Sequence, residues 1–486
     1  MNHRTPSVVP VRLLHRFNTL IYIAGAAILS IIIANTGIYA ADASVPNIVL
    51  IFCDDLGYGD LGCYGSTVHS TPNLDKLAER GMRFTDFHVA AAVCSASRAA
   101  LLTGCYPQRV GIMGALGPTA KHGINTDEML LPELLKQQGY ATAIYGKWHL
   151  GHLPPFLPTR HGFDDYFGLP YSNDMWPFHP NSKFPALPLV EREETIQVNP
   201  NQTKLTEWYT ERAVKFIEQN KKQPFFLYLP HSMPHVPLFV GYEHYGKTGR
   251  GIYADVLAEI DSSLGRIVAT LEKLNLAENT LIAFSSDNGP WLTYGTHGGS
   301  SGGFREGKGT TFEGGMRVPF IVSWPAKIPA GKTCKELCGT IDVLPTFAAI
   351  AGAEAPQDRI IDGRDIRRLL FDEPGAKSPH EVYLYYWIYG LDAVRSGPWK
   401  LHFPHTFPSL TGKPGDFGKP AGITQGKIGK ALYNLDDDPA ESRNVLEAHP
   451  EIVAKLEQLA DAAREDLGDE HRMMKGKNRR PAGQTE

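Results

Sequence analysis

The sequence has few cysteines and no excess of basic residues. Six of its 486 residues are cysteine, which excludes a fold held together mainly by disulfide bonds. Lysine and arginine total 48 against 52 aspartate and glutamate residues, so the basic excess typical of nucleic-acid-binding proteins is missing. If the chain binds an anion, the attraction has to come from a local cluster of charge rather than from the net charge of -4.

Long hydrophobic runs are also scarce, and the one that occurs lies near the N-terminus. Several arginines precede an apolar run at residues 20–34, and small residues in an A-x-A pattern follow at 41–43. This pattern predicts a signal peptide at residues 1–43 that directs export and is then removed. The run is short for an uncleaved membrane anchor. We therefore expect a mature protein without a membrane span, periplasmic or secreted, or lysosomal in a eukaryote.

After this segment the chain alternates between strand and helix patterns. Apolar runs typical of strands buried on both faces lie at 47–53, 140–145, 224–229, 280–286 and 318–324. Helical patterns lie between them, at 71–81, 132–138 and 253–274. The alternation predicts an α/β fold with a large, mixed but mostly parallel sheet flanked by helices.

Past about residue 375 the pattern changes. It predicts shorter, antiparallel strands followed by a helix at 451–467. We predict an α/β domain at 44–375, a smaller C-terminal α+β subdomain with an antiparallel sheet at 376–472, and a polar tail at 473–486. Proline and aromatic residues crowd 154–200, which we interpret as a long loop region over a cleft.

Two of the predicted strands end in pairs of polar residues. Asp54 and Asp55 follow the first strand, and Asp287 and Asn288 follow the strand at 280–286. In open α/β sheets, ligands bind beyond the carboxyl ends of the strands. Three carboxylates and one amide that converge there suit a hard cation such as Ca²⁺. Either pair alone is better explained as a cap of the next turn, but two such strand ends favour a metal site.

A cysteine and an arginine lie one helical turn apart in residues 93–104, VCSASRAALLTG. Cys94 is at the start of the predicted helix, and Arg98 shares its face. Free N–H groups at a helix start, together with a guanidinium, favour a phosphate or sulfate group and predict a lowered pKa for the thiol. The alternative is a buried cysteine beside a surface arginine.

Further candidates follow predicted strands in the same way. Lys147 and His149 are two residues apart, so an extended segment would point both in one direction. His231 and His235 have a spacing that suits zinc on a helix, but Pro234 lies between them and disfavours a helix. We therefore expect one histidine of this pair to face the site.

A glycine-rich segment at 302–311 resembles a phosphate-binding loop only in part. Gly309 stands where a P-loop needs serine or threonine, and no strand leads into the segment. We reject a nucleotide site here, although Lys308 on this loop is able to reach an anion.

Together these motifs resemble the type I, formylglycine-dependent sulfatases. The stretches that carry the resemblance are NIVLIFCDDLGYGDLGCYG at 47–65, VCSASRAALLTG at 93–104, GKWHLG at 146–151, DNGP at 287–290 and GKGTTFEGGMRVP at 307–319. The stretch GLPYSND at 168–174 is similar to the arylsulfatase A-like branch. The resemblance extends from about residue 46 to the C-terminal unit. It implies an alkaline phosphatase-like fold and hydrolysis of sulfate esters.

The resemblance also implies a modified residue and a metal. By position, Cys94 is the cysteine that a formylglycine-generating enzyme oxidises to formylglycine (3-oxoalanine). The hydrated aldehyde has two hydroxyls on one carbon, of which one attacks sulfur and the other later expels sulfate. One Ca²⁺ ion would be bound by Asp54, Asp55, Asp287 and Asn288, with the converted Cys94 next to it.

Other roles carry over from the family by motif. Arg98 would steady the hydrated aldehyde and the metal site. Lys147 and Lys308 would neutralise sulfate oxygens. His235 would protonate the leaving oxygen, alone or with Lys308, and His149 would orient or deprotonate the diol.

One position departs from the family pattern. The third residue of the Cys-x-Pro-x-Arg motif is Ala96 here. Alanine occurs at this position in some family members, so we still expect conversion of Cys94. Ser172 would line the substrate pocket beside Lys147, His235 and Lys308.

Two alternatives stay open at this point. One is a phosphate or phosphonate ester hydrolase of the same superfamily, although the sequence shows no extra cluster of histidines and acids for a two-zinc phosphatase. The other is a non-catalytic binder of sulfated glycans with Cys94 left unconverted. The substrate itself could be a sulfated small molecule, glycan or lipid.

Overall fold

The computed structural model describes residues 1, 3, 45–180 and 182–485. The signal peptide predicted at 1–43 therefore lies almost wholly outside the described residues. Pro46–Glu486 form one compact unit. Within the described residues, no helix combines the length and the apolar character that a membrane crossing needs.

The predicted strands and helices of the first part of the chain lie close to the positions that the sequence indicates, and the structure adds further ones. In chain order the strands are β1 (Asn47–Cys53), β2 (Met82–Phe84), β3 (Phe87–His88), β4 (His122–Gly123), β5 (Ala141–Tyr145), β6 (Asp165–Gly168), β7 (Pro188–Glu191), β8 (Glu194–Val198), β9 (Phe225–Pro230), β10 (Thr280–Ser286), β11 (Phe320–Ser323), β12 (Lys332–Cys334), β13 (Cys338–Gly339), β14 (Tyr383–Trp387), β15 (Gly390–Ser396), β16 (Trp399–His402), β17 (His405–Leu410), β18 (Ile423–Ile428), β19 (Ala431–Asn434) and β20 (Gly483–Gln484). The α-helices are α1 (Pro72–Glu79), α2 (Cys94–Thr103), α3 (Pro107–Val110), α4 (Leu131–Gln137), α5 (Leu205–Asn220), α6 (Ile252–Lys273), α7 (Glu313–Met316), α8 (Val343–Ile350), α9 (Arg367–Leu370) and α10 (Pro450–Leu467).

A large sheet forms the centre of the molecule. Its order in the described part of the chain is β12-β2-β11-β10-β1-β9-β5-β6-β7-β8. The five central strands, from β10 to β6, run parallel. The pairs β10–β11 and β6–β7 are antiparallel and introduce the mixed edges. The predicted mixed, mostly parallel α/β sheet is confirmed.

β1 is buried along its whole length, as expected for a central strand of a sheet that is covered by helices on both faces. Val49 and Ile51 lie in one core cluster with side chains of α1, α5 and α6. Their neighbours in sequence, such as Leu50, are equally buried, and successive side chains of a strand point to opposite faces. Helices α2, α4 and α8 contact one another as a second group. A strand buried in this way carries its polar residues only beyond its end.

The C-terminal part forms a second, antiparallel sheet with the order β14-β15-β16-β19. Helix α10 packs against β15 and β16, and β17 and β18 form a separate antiparallel hairpin. The predicted antiparallel sheet is present, while the exact domain limits stay predictions.

The segment predicted as a polar tail folds back onto the first part of the chain. Strand β20 pairs with β4 in antiparallel register. Arg480 Nε donates a hydrogen bond to Glu128 Oε1 at 2.6 Å. These contacts join residues near the C-terminus to the loop region that precedes α4.

The interpretation of residues 154–200 as loop was wrong in part. Strands β6, β7 and β8 lie in this segment and extend the large sheet at one edge. All five residues of β8 are exposed, as expected for the outermost strand. A strand with no buried face has no alternating apolar pattern, which is why the sequence did not reveal it.

Candidate active site

The candidate site lies at the carboxyl ends of β1 and β10. Cys53 and Ser286 are register partners on these neighbouring parallel strands, so Asp54 and Asp287 emerge side by side. Both are fully buried. The strand geometry thus brings together the two acidic pairs that are 233 positions apart in the chain, as the contact of Asn288 Nδ2 with Asp55 Oδ1 at 2.7 Å shows.

The backbone at Asp55 is unusual. Its φ angle is 63°, in the left-handed region that residues other than glycine rarely adopt. Its N–H donates to Asp287 Oδ1 at 3.2 Å. Such backbone strain costs about 1–3 kcal/mol and is concentrated at functional sites. Here it accompanies two successive carboxylates that both reach the site.

The oxygen atoms of this cluster are arranged as metal ligands. Atoms of Asp54, Cys94 and Asp287 all lie within 4.8 Å of one another. Asp54 Oδ1 and Asn288 Oδ1 are buried and have no hydrogen-bond partner among the described residues. Buried oxygens are normally satisfied, and those left over next to two further carboxylates suit a hard divalent cation. The residues therefore fit a bound cation.

Cys94 is the first residue of α2, as predicted, but its thiol is not activated. Val93 precedes it in an extended conformation. Burial raises the pKa of the Cys94 thiol, and the opposing charges of Lys147 and Lys308 do not offset this effect. The predicted lowering of the thiol pKa was wrong because the helix start is buried, and desolvation disfavours the thiolate.

Arg98 is a buried ion-pair partner rather than a surface residue. Its side chain is inaccessible to solvent, and Nη2 donates to Asp287 Oδ2 at 2.8 Å. Nη1 donates to the carbonyl oxygen of Lys147 at 3.0 Å. The guanidinium therefore links α2 to the carboxylate cluster and to the loop that carries Lys147.

Two lysines supply further positive charge. Lys147 Nζ, fully buried, pairs with Asp54 Oδ2. Lys308 Nζ lies 2.7 Å from Asp55 Oδ1. Burial alone would lower the pKa of each ammonium group, but the neighbouring carboxylates raise it above its ordinary value. Both lysines stay protonated at neutral pH.

The histidines differ in which nitrogen is free. His149 Nε2 donates to the carbonyl oxygen of Leu116 at 2.9 Å, and Nδ1 has no partner within the described residues. Burial, reinforced by the charges of Lys147 and Arg98, holds the pKa of His149 well below its usual range. His235 Nδ1 donates to the carbonyl oxygen of Val236 at 2.5 Å. This leaves His235 Nε2 3.6 Å from Asp55 Oδ2.

One histidine prediction was wrong in its geometry, whereas the expectation that a single histidine of the pair faces the site agrees with the structure. His149 has a φ of 62°, so Lys147 and His149 do not lie in an extended segment with parallel side chains. Of His231 and His235, only His235 reaches Asp55. Burial lowers the pKa of His231 to about 4, and its ring lies 6.5 Å from that of Tyr209 in the core.

Ser172 lies in the loop after β6. Its hydroxyl is buried and has no hydrogen-bond partner in the part of the chain that the structure describes. A buried hydroxyl without a partner is costly in an apolar interior, so this group is available for a ligand.

The pKa values of the carboxyl groups in the cluster are shifted in opposite directions. Burial would raise the pKa of Asp54, but Lys147, His235 and Arg98 hold it well below its usual range. Burial and the charge of Asp54 raise the pKa of Asp287 to about 7. Adjacent carboxylates resist joint ionisation, and a cation in their midst removes this repulsion.

The sequence analysis missed an aromatic pair beside these residues. Trp291 and Tyr294 pack edge to face, with ring centroids 4.9 Å apart. The Trp291 ring lies 5.5 Å from that of His235, and Lys308 Nζ lies 4.4 Å from its centroid. In the sequence, the one indication that Trp291 lies near the site is its position three residues after Asn288, in the loop after β10.

A buried ion-pair network from the C-terminal sheet holds the loop that follows Lys308. Lys400 Nζ donates to the carbonyl oxygen of Thr311 at 2.8 Å and to Glu313 Oε1 at 2.9 Å. It also lies 3.0 Å from Glu441 Oε1, and Glu441 Oε2 accepts the N–H of Glu313 at 2.7 Å. No local pattern indicates these contacts, because their partners are far apart in sequence.

The Glu313 side of this network includes a second group of possible metal ligands, Asp86, His88 and Glu313. Arg395 Nη2 lies 2.6 Å from Asp86 Oδ2, and Arg317 Nε lies 2.7 Å from Glu313 Oε2. Its carboxylates are thus already neutralised, and we regard it as a structural ion-pair cluster.

The fold and the site define a class of enzyme. An acidic cluster at the carboxyl ends of two neighbouring parallel strands, with a helix N-terminus, an arginine and two lysines around it, is suited to bind and polarise the anionic group of an ester. It corresponds to the alkaline phosphatase-like architecture.

Comparisons with known proteins narrow this class. The family described as Sulfatase matches residues 46–353, and the C-terminal region of aryl-sulfatase matches residues 378–485. Arylsulfatase A of Bos taurus is 41% identical over 451 residues, which cover 86% of this chain and 88% of the relative. N-acetylgalactosamine-6-sulfatase of Canis lupus familiaris is 40% identical over 400 residues, 77% of this chain and 75% of the relative.

A solved structure agrees with these relatives. The PsFucS1 sulfatase from Pseudoalteromonas sp. superposes with a TM-score of 0.77 at 28% identity and covers 87% of this chain and 91% of its own. The chain belongs to the sulfatase family. It is a sulfuric ester hydrolase, as the resemblance in its motifs implied.

Proposed function

We propose that this enzyme removes sulfate from a sulfated carbohydrate, with formylglycine made from Cys94 and with one Ca²⁺ ion. The observation that carries the proposal is the convergence of Asp54, Asp287 and Cys94 within 4.8 Å at the ends of two parallel strands. A relative named for a sulfated amino sugar supports a carbohydrate as substrate.

We assign the cation to Asp54, Asp55, Asp287 and Asn288, beside Cys94. A set of three carboxylates and one amide consists of hard oxygen ligands, which favours Ca²⁺ over zinc. When bound, the cation polarises a sulfate oxygen. Formylglycine, as a hydrated aldehyde, supplies both a nucleophilic hydroxyl and a second hydroxyl for release of sulfate.

The positive side chains act on the sulfate group. The Lys147 and Lys308 ammonium groups, both kept charged by neighbouring carboxylates, bind sulfate oxygens and offset the charge that develops during ester cleavage. Arg98 holds Asp287 and the start of α2 in place through its hydrogen bonds at 2.8 and 3.1 Å. Ser172 lines the pocket with a hydroxyl that is not used elsewhere.

The two histidines move protons at defined atoms. His235 has its Nδ1 proton fixed on the carbonyl oxygen of Val236, so Nε2 is the atom that donates a proton to the leaving oxygen. His149 has its Nε2 proton fixed on the Leu116 carbonyl oxygen. Its unprotonated Nδ1 is therefore the acceptor that orients or deprotonates the hydroxyl at residue 94. The lowered pKa of His149 keeps this nitrogen available.

Maturation and location are part of the same proposal. A formylglycine-generating enzyme is the partner that converts Cys94, and Ala96 in place of proline is compatible with this conversion. We propose export through the predicted signal peptide to the periplasm or cell exterior, or to the lysosome in a eukaryote.

The deciding experiment is the mass of the tryptic peptide at residues 84–98, from protein made in a host that forms formylglycine. Conversion replaces a thiol by an aldehyde, with loss of H₂S and gain of O. We expect this peptide together with sulfate release from 4-nitrophenyl sulfate. Cys94→Ala should abolish turnover, and Cys63→Ala, at a half-buried cysteine outside the site, should retain it. Turnover by Cys94→Ala would overturn the assignment.

The two alternatives give different results in the same assays. Faster cleavage of 4-nitrophenyl phosphate or a phosphonate monoester than of the sulfate would indicate a phosphate or phosphonate hydrolase. An intact cysteine with sulfated-glycan binding and no turnover would indicate a binding protein.

A further inference from the structure

Trp291 lies between the sulfate-binding side chains and a cleft. Its indole is half-buried, and its ring contacts His235 at 5.5 Å between centroids. Lys308 Nζ lies 4.4 Å from the ring centroid, a cation–π distance. Tyr294 supports the indole edge to face at 4.9 Å. Three neighbours therefore fix the orientation of a side chain that is still partly open to solvent.

The cleft is formed where the Trp291 loop meets the C-terminal hairpin β17–β18. Trp291 and Lys308 line one side, and Leu410 and Ile423 of the hairpin line the other. Leu410 and Ile423 are register partners across the hairpin, so they present one continuous apolar edge. Ile423 is 57% exposed, so this apolar edge is open to solvent.

Polar groups lie among these apolar walls. Glu306 and Ser409 line the same cleft, and Ser409 Oγ donates to Glu306 Oε1 at 2.9 Å. A half-buried indole, short apolar stretches and a few fixed polar groups line a narrow cleft of about 80 Å³, which would contact one edge of a ligand rather than enclose it. An aromatic face suits the C–H surface of a sugar ring, and carboxylate and hydroxyl groups suit its hydroxyls. A lipid chain would need a longer wall without the carboxylate.

We infer that Trp291 is a specificity-determining residue that packs against the sugar ring of the substrate, with the β17–β18 hairpin as the opposite wall. In the proposed function, Lys308 binds the sulfate group and His235 faces the leaving oxygen. Both side chains contact the Trp291 ring, so the part of the substrate next to the sulfate has to lie near the indole. A ring bonded to that oxygen therefore lies against the indole. This inference rests on the proposed function, whose site it extends.

The test measures binding separately from turnover. Calorimetry in a Cys94→Ala background, with and without Trp291→Ala, would use N-acetylgalactosamine 6-sulfate, galactose 6-sulfate and glucosamine 6-sulfate, with inorganic sulfate as the reference ligand. We expect Trp291→Ala to weaken the best-bound sugar sulfate by at least about tenfold, as loss of an aromatic contact would. The affinity for inorganic sulfate should change by less than about twofold, because this ion contacts only the charged groups.

Matched variants separate recognition from folding. Trp291→Phe keeps a flat aromatic face and should restore most of the affinity. Trp399→Ala removes a half-buried tryptophan of the C-terminal sheet whose ring contacts that of His449, and it should leave sugar binding unchanged. Ile423→Ser, at an exposed position, should weaken the sugar sulfate several-fold and not inorganic sulfate.

The outcomes are distinguishable from failure of the proposed function. If Trp291→Ala lost the same factor of affinity for the sugar sulfate and for inorganic sulfate, the specificity role would be overturned and only a structural role would be left. Unchanged sugar affinity would also overturn it. In both cases, cleavage of 4-nitrophenyl sulfate by the converted wild-type enzyme would still support the proposed function.

Discussion

Replacement of Lys400 by methionine should destabilise the protein and also impair catalysis. The Lys400 ammonium group is completely buried and has three partners, the Thr311 carbonyl oxygen, Glu313 and Glu441, at 2.8 to 3.0 Å. Methionine fills a similar volume, but Glu313 keeps Arg317 as a partner while the buried carboxylate of Glu441 loses its lysine, so one negative charge is left without compensation. Removal of one partner from a buried ion pair costs about 3–5 kcal/mol, and we expect a loss of this size in the free energy of unfolding.

The effect on catalysis follows from the position of the contacts. Lys400 holds Thr311 and Glu313, which follow Lys308 by three and five residues at the end of its loop and the start of α7. We expect a lower kcat/KM with 4-nitrophenyl sulfate in the folded variant, together with weaker inhibition by inorganic sulfate. Urea unfolding followed by circular dichroism gives the stability, and steady-state kinetics at low temperature give the catalytic effect.

A second substitution tests the electrostatic reasoning. Glu441→Gln in the Lys400→Met background removes the uncompensated charge, so the double variant should be more stable than Lys400→Met by at least about 1 kcal/mol. Lys430→Met removes an exposed ion pair with Glu457 in the same subdomain and should cost no more than about 1 kcal/mol. Additive losses in the double variant would refute the charge argument.

The pH dependence of stability should change in the same variant. Burial alone would raise the pKa values of Glu313 and Glu441, but Lys400 contributes to holding both below their ordinary values. Carboxylates with depressed pKa values stabilise the folded state above an ordinary pKa of about 4.3, and this contribution disappears as pH falls. Lys400→Met should therefore lose less stability than wild type between about pH 5 and pH 3.

Three further predictions concern the metal, the leaving group and the C-terminal segment. Dialysis against a strong chelator should lower the rate with 4-nitrophenyl sulfate at least about tenfold, with recovery in Ca²⁺ but not in Mg²⁺; full activity in protein shown to be free of metal would contradict the assignment. His235→Gln should lower kcat about 10²- to 10⁴-fold, most for leaving groups of high pKa, and an equal loss for all leaving groups would argue against proton donation. Arg480→Met leaves the largely buried Glu128 without its close partner, at 2.6 Å in the wild type, and should reduce the free energy of unfolding by about 1–3 kcal/mol. Because Arg480 is not part of the site, kcat/KM should stay unchanged in that variant.

The sequence predicted those parts of the site that depend on strand ends. Asp54 and Asp287 directly follow apolar strands, and parallel neighbours bring such residues together whatever the loops between them do. Cys94 and Arg98 were predictable for a similar reason, since helical spacing alone fixes their relative position. Local periodicity also predicted five of the ten strands that form the large sheet in the described part of the chain.

The remaining features depend on burial and on distant contacts, which a local pattern does not contain. The pKa of Cys94 rises because the start of α2 is covered by the rest of the fold. The contacts of Lys400 with Glu313 join residues 87 positions apart, and nothing near either one indicates the other. Trp291 becomes informative only once the hairpin β17–β18 is seen opposite it.

The position of β1 in the sheet has a consequence for the timing of maturation. Its neighbours β9 and β10 are synthesised long after α2, and only then does the central sheet close around Cys94, which is 3% exposed in the folded chain. A modifying enzyme has no access to this side chain afterwards. The proposed conversion therefore has to take place on the nascent or still unfolded chain, before Thr280–Ser286 joins β1, and the rate of folding competes directly with the yield of active enzyme.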